Sequence, residues 1–411
     1  MMLGSRAMRL GLPAMLAYSA GSVGAGAFFA FNNFVIPLLL SAMNAPDLLI
    51  GLLSSTRSIE GVIVQPTIGA WSDRLATPLG RRRPFLLVAI PLSALFLFLA
   101  PFANTLVQVA VAIFLFSIFF NVAVDPYAAL LPDITPADQR GTLSGISNGI
   151  QLVSQVAFLI VVSIAASSGA VPLWTFGFCG AVLLASFAVT IRFVHEPRQL
   201  AERAAHLPLR AYLETLVRNG QALRYLGTIF VYQFGLSAVI PFLPLFITKD
   251  LGQSNEIAIA LSALTLLVTA ASAIAFGAAA DRVGHRTVLG VGWTILAVAA
   301  LGGTVIRFLP ETIAVVVLAG IGNGAATVVK WPLLTLLIPA EETGIYAGLS
   351  AAADSIAIPL SVFVASEVFL PTLGYRGVFA MLAINIVIAL ALLLAFVRVP
   401  RPAAVRSLTA Q

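Results

Sequence analysis

The sequence predicts an all-α integral membrane protein of twelve spans, arranged as two similar halves. Three observations carry that prediction. Apolar residues make up 60% of the 411-residue chain and charged residues only 10%, against about 25% charged in ordinary soluble domains. A soluble protein this apolar could not cover its surface with polar groups, whereas lipid accepts such a surface and a helix satisfies its own backbone there without water. Apolar stretches long enough to cross a bilayer, about 20 residues each, recur along the whole chain. Between two of them the chain reads GAWSDRLATPLGRRRPF, Gly69 to Phe85, and between two others GAAADRVGHR, Gly277 to Arg286. Both copies place Gly four residues before an Asp-Arg pair, then a Gly followed by basic residues. Gly69 and Gly277 stand 208 positions apart. A loop duplicated at half-chain spacing, between membrane spans, points to a transporter built from two similar halves.

The first half carries spans over 14–42, 47–71, 84–103, 106–131, 142–168 and 172–194. Span one follows Arg6 and Arg9 and is too long for the apolar core of a cleavable signal peptide. Span two runs into the first basic loop at Asp73-Arg74. Span four holds Pro126. Span five opens on Gly141, Gly145 and Gly149, a tandem small-residue spacing that predicts close helix packing. The second half carries spans over 224–248, 256–280, 287–307, 312–339, 344–369 and 375–397. VIPLLL at Val35–Leu40 is echoed by VIPFLP at Val239–Pro244, and Pro332 in span ten matches Pro126 in span four. LLPDITPADQRGTLSG, Leu130–Gly145, is echoed by LLIPAEETGIYAGLSA, Leu336–Ala351. Gly320, Gly322 and Gly324 in span ten mimic a dinucleotide loop, but no strand precedes them and their surroundings are apolar. The organisation is therefore a six-helix bundle over 1–194, a linker over 195–223 and a second bundle over 224–411. The linker, with Arg198, Glu202, Arg203, Arg210, Glu214 and Arg218, reads equally as an amphipathic segment on the membrane surface or as a tether.

The net charge of +6 does not indicate nucleic acid, because the basic residues sit in short loops between apolar spans. With both termini inside, the inner loops hold 18 of the 23 Lys and Arg residues. Only Arg57, Lys249, Arg307, Lys330 and Arg376 fall elsewhere. That bias places both termini in the cytoplasm of a cell membrane. Cys179 is the single cysteine, so no intrachain disulfide forms. His195, His206 and His285 lie in polar loops, which leaves no intramembrane histidine for a proton relay or a metal. There is no Ser-His-Asp set, no metal-ligand spacing, no cofactor motif and no P-loop, which excludes an ATP-driven pump and leaves an enzyme with nothing to carry its chemistry.

The residues of the basic loop resemble those of the major facilitator superfamily, whose best-known signature is Gly-x-x-x-Asp-Arg followed by Gly-Arg-Arg. Within it, IVQPTIGAWSDR at Ile63–Arg74, GRRRPF at Gly80–Phe85 and NVAVDPYAALLPD at Asn121–Asp133 are similar to the sucrose:proton symporters and their glycoside–pentoside–hexuronide:cation relatives. The superfamily likeness covers essentially the whole chain, the subgroup likeness mainly the first 145 residues. It implies the major facilitator fold, a central substrate cavity, rocking alternating access and cation-coupled uptake. Two departures matter. The plant-type sucrose carriers have a sugar-binding arginine two positions after the span-four proline; Ala128 stands there. Melibiose-type members carry a carboxylate just before the span-two proline; Gln65 stands there, before Pro66, which favours proton over sodium coupling.

Charge inside a bilayer costs at least about 2.5–3.5 kcal/mol per residue, so Arg57, Glu60, Asp125, Lys330 and Asp354 are the candidates for chemistry. Arg57 and Glu60, three residues apart on one helix face, are either a tuned proton carrier or a static ion pair. Asp125, beside the loosened backbone at Pro126, is either a proton or cation ligand or the partner of an arginine such as Arg57. Lys330 and Asp354 are expected to pair across spans ten and eleven, the alternative being Lys330 binding an anionic substrate group. Asp354 is the reserve coupling site. Ser144, Asn148, Gln151 and Gln155 share one face of span five and suit a hydroxyl-rich substrate or interhelical bonding. Asn32 and Asn33, flanked by Phe28, Phe29, Phe31 and Phe34, offer a sugar-binding face, though phenylalanines there also suit lipid. Tyr232 and Gln233 are their span-seven counterparts, and Asn121 joins the substrate set. Gly69, Asp73, Arg74, Gly80, Arg81 and Arg82, with Gly277, Asp281 and Arg282, form the expected conformational gate. The resemblance implies that Asp73 caps span eleven when the inner side is closed, and a helix N-terminus does favour an anion. Arg81, Arg82 and Arg83 alternatively serve orientation and anionic-lipid contact. The reading that follows is a monomeric, proton-coupled importer of a sugar or glycoside. The alternatives are an exporter of amphiphilic compounds, or a membrane sensor or lipid-handling protein.

Overall fold

Long apolar stretches interrupted by few polar residues fold as helices, numbered α1 to α12 here over the described residues. The computed structural model describes residues 9–55, 64, 68, 71–72, 77–136, 139–166, 171–196, 219–339 and 343–398, without the side chains of 343–345, 347 and 351. Arg57, Glu60, Gly69, Asp73, Arg74 and most of the linker lie outside those residues. Helix α1 spans Leu12–Ala30, widens into a π turn at Phe31–Val35 and continues over Ile36–Ala42. α2 is described over Asp47–Ser54, and Val64, Ile68, Trp71 and Ser72 are also helical. α3 (Arg83–Leu99), α4 (Leu106–Ile134), α5 (Arg140–Ala165) and α6 (Trp174–Phe193) complete the first half. α7 spans Gly220–Leu245 and ends in a π turn at Phe246–Asp250. α8 (Asn255–Val283), α9 (His285–Val305) and α10 (Leu309–Thr335) follow. α11 spans Thr343–Val364, with a π turn at Ala365–Phe369 and a last turn at Leu370–Leu373; α12 spans Arg376–Phe396. Among the described residues, eleven helices are long and apolar enough to cross a membrane.

Local chemistry sets the ends. Thr105, Asn219 and Ser254 cap α4, α7 and α8 by accepting from Gln108, Ala222 and Ile257 backbone N–H groups, which satisfies donors no helix can. Gly284, at φ +91°, separates α8 from α9 in a conformation that only glycine adopts cheaply. Two of the π turns end two residues before a proline, Pro37 and Pro371. Proline supplies no N–H and its ring crowds the carbonyl four residues back, and the wider turn absorbs both defects.

The two halves repeat one packing scheme. In the first, α1 packs on α5 and α6, and α3 on α4 and α6; in the second, α7 packs on α11 and α12, and α9 on α10 and α12. Arg83, opening α3, donates to the Ile191 carbonyl at the end of α6 at 2.5 Å. Arg286, opening α9, donates to the Leu393 and Leu394 carbonyls at the end of α12 at 3.2 and 3.0 Å. A cation at a helix C-terminus is favoured by the helix dipole, and the device occurs at matching places in both halves. Across the halves, α5 packs on α8 and α2 on α11.

The glycine spacing of α5 does not do what its sequence predicts. A Cβ at Gly141, Gly145 or Gly149 would meet nothing within 4 Å, and all three residues are exposed. Close packing occurs instead at Gly24 in α1, where a Cβ would lie 2.2 Å from Ser186 Oγ of α6. It recurs at Gly324 in α10, where a Cβ would lie 2.4 Å from the Thr269 carbonyl of α8. Gly-x-x-x-Gly spacing licenses a close neighbour, but tertiary geometry decides whether one is present.

Candidate functional site

A cavity of about 530 Å³ lies between the halves, within the range of small-molecule sites, about 300–1,000 Å³. Tyr18, Ser22, Ala25 and Phe29 reach it from one face of α1, and Tyr127 and Ala128 from α4. Ser144, Ser147, Asn148 and Gln151 reach it from α5, and Gln233 and Ser237 from α7. These positions run along α1 from its second turn to its end and lie in the early turns of α5, the last turns of α4 and the middle of α7. The cavity therefore extends from mid-membrane toward the face on which α1 begins and α12 ends. Among the described residues lining it, hydroxyls, amides and apolar surface alternate, and none is charged.

One wall is held by a closed set of hydrogen bonds. The Tyr18 and Tyr127 rings stack at 4.7 Å, and each hydroxyl donates to the other residue's carbonyl, at 3.1 and 2.8 Å. Tyr127 has thereby used its proton, so its 2.9 Å contact with Ser22 Oγ is donated by Ser22. Ser22 then accepts from Ser147 Oγ at 2.5 Å. Each hydroxyl has one proton, so the order Ser147 to Ser22 to Tyr127 to Tyr18 is forced. Sequence reasoning passed over these four residues. Their signal was present in part, since Tyr18 and Ser22 share a face with Ala25 and Phe29 at steps of four, three and four.

The expected substrate residues divide. Asn33, Asn148, Gln151 and Gln233 line the cavity. Gln155, one turn beyond Gln151, lines a second and smaller cavity instead. Asn32 is buried and donates to Asn33 Oδ1 at 3.4 Å. Asn121 is buried and donates to the Ser117 carbonyl at 3.0 Å. Tyr232 is buried, stacks on Trp293 and donates to Asn323 Oδ1 at 3.0 Å. None of these three lines the large cavity. Lys330 Nζ lies 3.2 Å from Asp354 Oδ2, with both side chains partly exposed. Asp125 is half-buried on α4 between turns whose Val124 and Ala128 reach the cavity. Of the phenylalanines beside Asn32 and Asn33, Phe28 and Phe31 face neither sugar nor lipid: Phe28 packs on Phe116 and Phe120, and Phe31 on Phe158 and Phe176.

The second cavity, of about 150 Å³, adjoins the first across Asn33 and Ile240, which line both. Its walls come mostly from α7, α8, α9, α10 and α12 and are predominantly apolar.

The basic loop is anchored to its own half. Arg81 Nη2 lies 2.6 Å from Asp133 Oδ1, and Arg82 Nε 3.2 Å from Asp133 Oδ2. Glu196, past the end of α6, accepts from the Arg82 backbone N–H at 2.9 Å and lies 3.6 Å from Arg81 Nε. Arg82 also donates to Ser72 and is buried. Gly80 has φ +101°, and a Cβ there would lie 2.3 Å from Glu196 Oε2. The position thus needs glycine twice over. With such partners, these arginines are not free to serve lipid contact alone. In the second copy Asp281 and Arg282 are exposed, and a Cβ at Gly277 would lie 3.3 Å from Val328 Cγ2.

The halves meet on the membrane face opposite the termini. Tyr375 Oη donates to Asp47 Oδ1 at 2.7 Å and receives Lys249 Nζ at 3.2 Å. Burial, together with the Asp47 carboxylate it bonds, pushes the Tyr375 phenol above its ordinary range and keeps it a donor. Ser163 Oγ of α5 donates to the Glu256 carbonyl of α8 at 2.9 Å. A Cβ at Gly51 of α2 would lie 2.4 Å from Val362 Cγ1 of α11. The cavity is covered on that side.

A family model for MFS/sugar transport proteins matches residues 17–397. Proton-associated sugar transporter A of Homo sapiens is 49% identical over 55 residues, 13% of this chain and 7% of that protein. A general alpha-glucoside permease of Schizosaccharomyces pombe is 32% identical over 113 residues, 22% of this chain and 20% of that one. The matched stretches are thus well under two thirds of either relative. The crystal structure of the nucleoside transporter NupG superposes with a TM-score of 0.75 at 13% identity, covering 94% of this chain and 100% of that one. That of a D-xylose-proton symporter superposes with a TM-score of 0.74 at 16% identity, covering 93% and 97%.

Proposed function

Because the chain belongs to the MFS/sugar transport protein family and takes the major facilitator fold, we propose that this multi-pass secondary transporter is a proton-coupled importer of a neutral sugar or glycoside. The observation that carries the reading is the cavity of about 530 Å³ between the halves, whose described lining residues carry no charge. Amides supply donors and acceptors together, which matches sugar hydroxyls. Asn33, Asn148 and Gln151 line it from the first half and Gln233 from the second, so one solute can engage both halves. The similarity to proton-associated and alpha-glucoside carriers supports the same substrate class. Ala128, in place of an arginine, argues for a substrate other than sucrose.

Coupling is assigned to Glu60 and Asp125, with Arg57 holding its partner's carboxyl ionised until substrate or a conformational change separates them. Asp354, paired with Lys330, is the reserve. The gate residues Asp73 and Arg74 then close the cytoplasmic side as the Asp47–Tyr375 side opens. The arginine bias puts both termini in the cytoplasm. The test is uptake of labelled sugars and glycosides into proteoliposomes under an imposed pH gradient. Glu60→Gln or Asp125→Asn should abolish accumulation and spare downhill exchange, since an amide keeps the shape and cannot carry the proton. Proton-driven accumulation that survives in the double variant overturns the assignment.

A further inference from the structure

The hydroxyls of the tyrosine wall have no protons to spare. Tyr18 and Tyr127 each give theirs to the other residue's carbonyl, Ser22 gives its proton to Tyr127, and Ser147 gives its proton to Ser22. All four residues line the large cavity. Ser147 stands at the end of the series. It lies three residues after Ser144 and four before Gln151, on the face of α5 that reaches the cavity. It donates inward, and its Oγ accepts nothing from the described residues. A serine oxygen carries two lone pairs, so Ser147 offers the cavity acceptors and no donor.

An isolated serine discriminates little, because its O–H rotates to suit whatever it meets. Here the rotation is locked. Turning the Ser147 proton to the cavity would take from Ser22 Oγ its only donor, and both serines are buried, where an unmade hydrogen bond is costly. The amides of Asn148 and Gln151 are different, since each carries donors and acceptors together. We propose that Ser147 selects substrate by the fixed direction of its proton. The sugar group that meets it must be a hydroxyl that donates, and an acceptor-only group in that place, such as an ether, carbonyl or carboxylate oxygen, is refused. The proposal rests on the large cavity being the sugar site.

The test is ligand-induced thermal stabilisation of the full-length purified protein. The probes are methyl α-glucoside, methyl β-glucoside, methyl β-galactoside and methyl α-maltoside, each also with one hydroxyl at a time replaced by fluorine or by hydrogen. Fluorine is polar and close to the hydroxyl in size but cannot donate. At one ring position of the preferred sugar, fluorine should weaken binding about tenfold or more, as expected when a buried acceptor loses its donor, and should fare no better than hydrogen. Ser147→Ala removes the acceptor, and the fluorine penalty at that position should disappear while the ratios at the other positions hold. A serine that only supports the wall would lower every affinity and leave every ratio where it was. Tyr127→Phe is the second variant. It takes away the acceptor of Ser22, whose proton turns to Ser147, and the Ser147 proton is released to the cavity. The fluorine penalty should then shrink at the same position, whatever the overall loss of affinity. A preferred sugar with no such position, or a penalty that either variant leaves unchanged, would overturn the selection and leave the sugar reading standing. No stabilisation by any of the four parent sugars would overturn the sugar reading and the proposal with it.

Discussion

Tyr127 shows how one residue can set a wall that no pairwise contact would hold. Its ring stacks on Tyr18, its proton goes to the Tyr18 carbonyl, and its oxygen takes the proton of Ser22. Tyr127→Phe keeps the stack and leaves the buried Ser22 hydroxyl without its acceptor, while the Tyr18 carbonyl keeps only Thr190 Oγ1 as a side-chain donor. It should cost about 1–3 kcal/mol, read as a lower thermal unfolding temperature, and weaken sugar binding through a disordered wall. Unchanged stability and affinity would show that the chain of hydroxyls does not order the site. Tyrosine inside an apolar span reads as core packing, so this residue was not legible in advance. Isolated amides in the same spans were: Gln151, Asn148 and Gln233 had no apolar explanation. Asn32 and Asn33 are adjacent, and helical periodicity alone could not choose between them. The π turn makes the choice, turning Asn33 to the cavity and Asn32 into the protein.

Along α5 the same sequence spacing has two fates. The polar stripe reaches the cavities, while the glycines one position further round are exposed. A glycine inside a helix is less favourable than alanine by about 0.5–1 kcal/mol, and at Gly145 no contact offsets that. Gly145→Ala should therefore raise the thermal stability of this conformation slightly. Gly24→Ala should lower it by more than the helix preference returns, because Ser186 Oγ would lie 2.2 Å from the new Cβ and Leu183 Cα 3.1 Å away. Both variants measured in one thermal series decide the matter, and an order opposite to this would mean that packing at α1 and α6 is looser than its geometry. Helix number and length were legible because apolar runs are long and loops short. Which face of a helix finds a neighbour was not, since small residues suit both a close neighbour and an empty cleft.

The molecule as a whole is closed on one side where α5 packs on α8 and α2 on α11, and one polar cluster sits among those contacts. Asp47 is the first half's contribution to a cluster whose other members, Tyr375 and Lys249, come from the second. A hydrogen bond to a charged group contributes about 1.5–3 kcal/mol, enough to move a two-state equilibrium tenfold or more. Asp47→Ala should shift the population toward the state open on that side. A cysteine introduced at Gln151 should then react faster with an impermeant maleimide added from the face opposite the termini. The buried Cys179 gives little background, and an unchanged rate would remove Asp47 from the latch. The twofold plan was legible in the repeated basic loop, although residues outside that motif, Arg83 and Arg286, make its clearest structural echo. Those two arginines bear on how the chain is made. Each ties the third helix of its half to the last, so the first six helices can close on themselves while the ribosome is still translating the seventh. If the halves rock against each other as proposed, they should be separable in biogenesis as well as in motion. Residues 1–194 and 195–411, produced as two polypeptides in one cell, should find each other in the membrane and restore uptake. Arg83→Ala should shorten the lifetime of the first fragment alone, and Arg286→Ala that of the second.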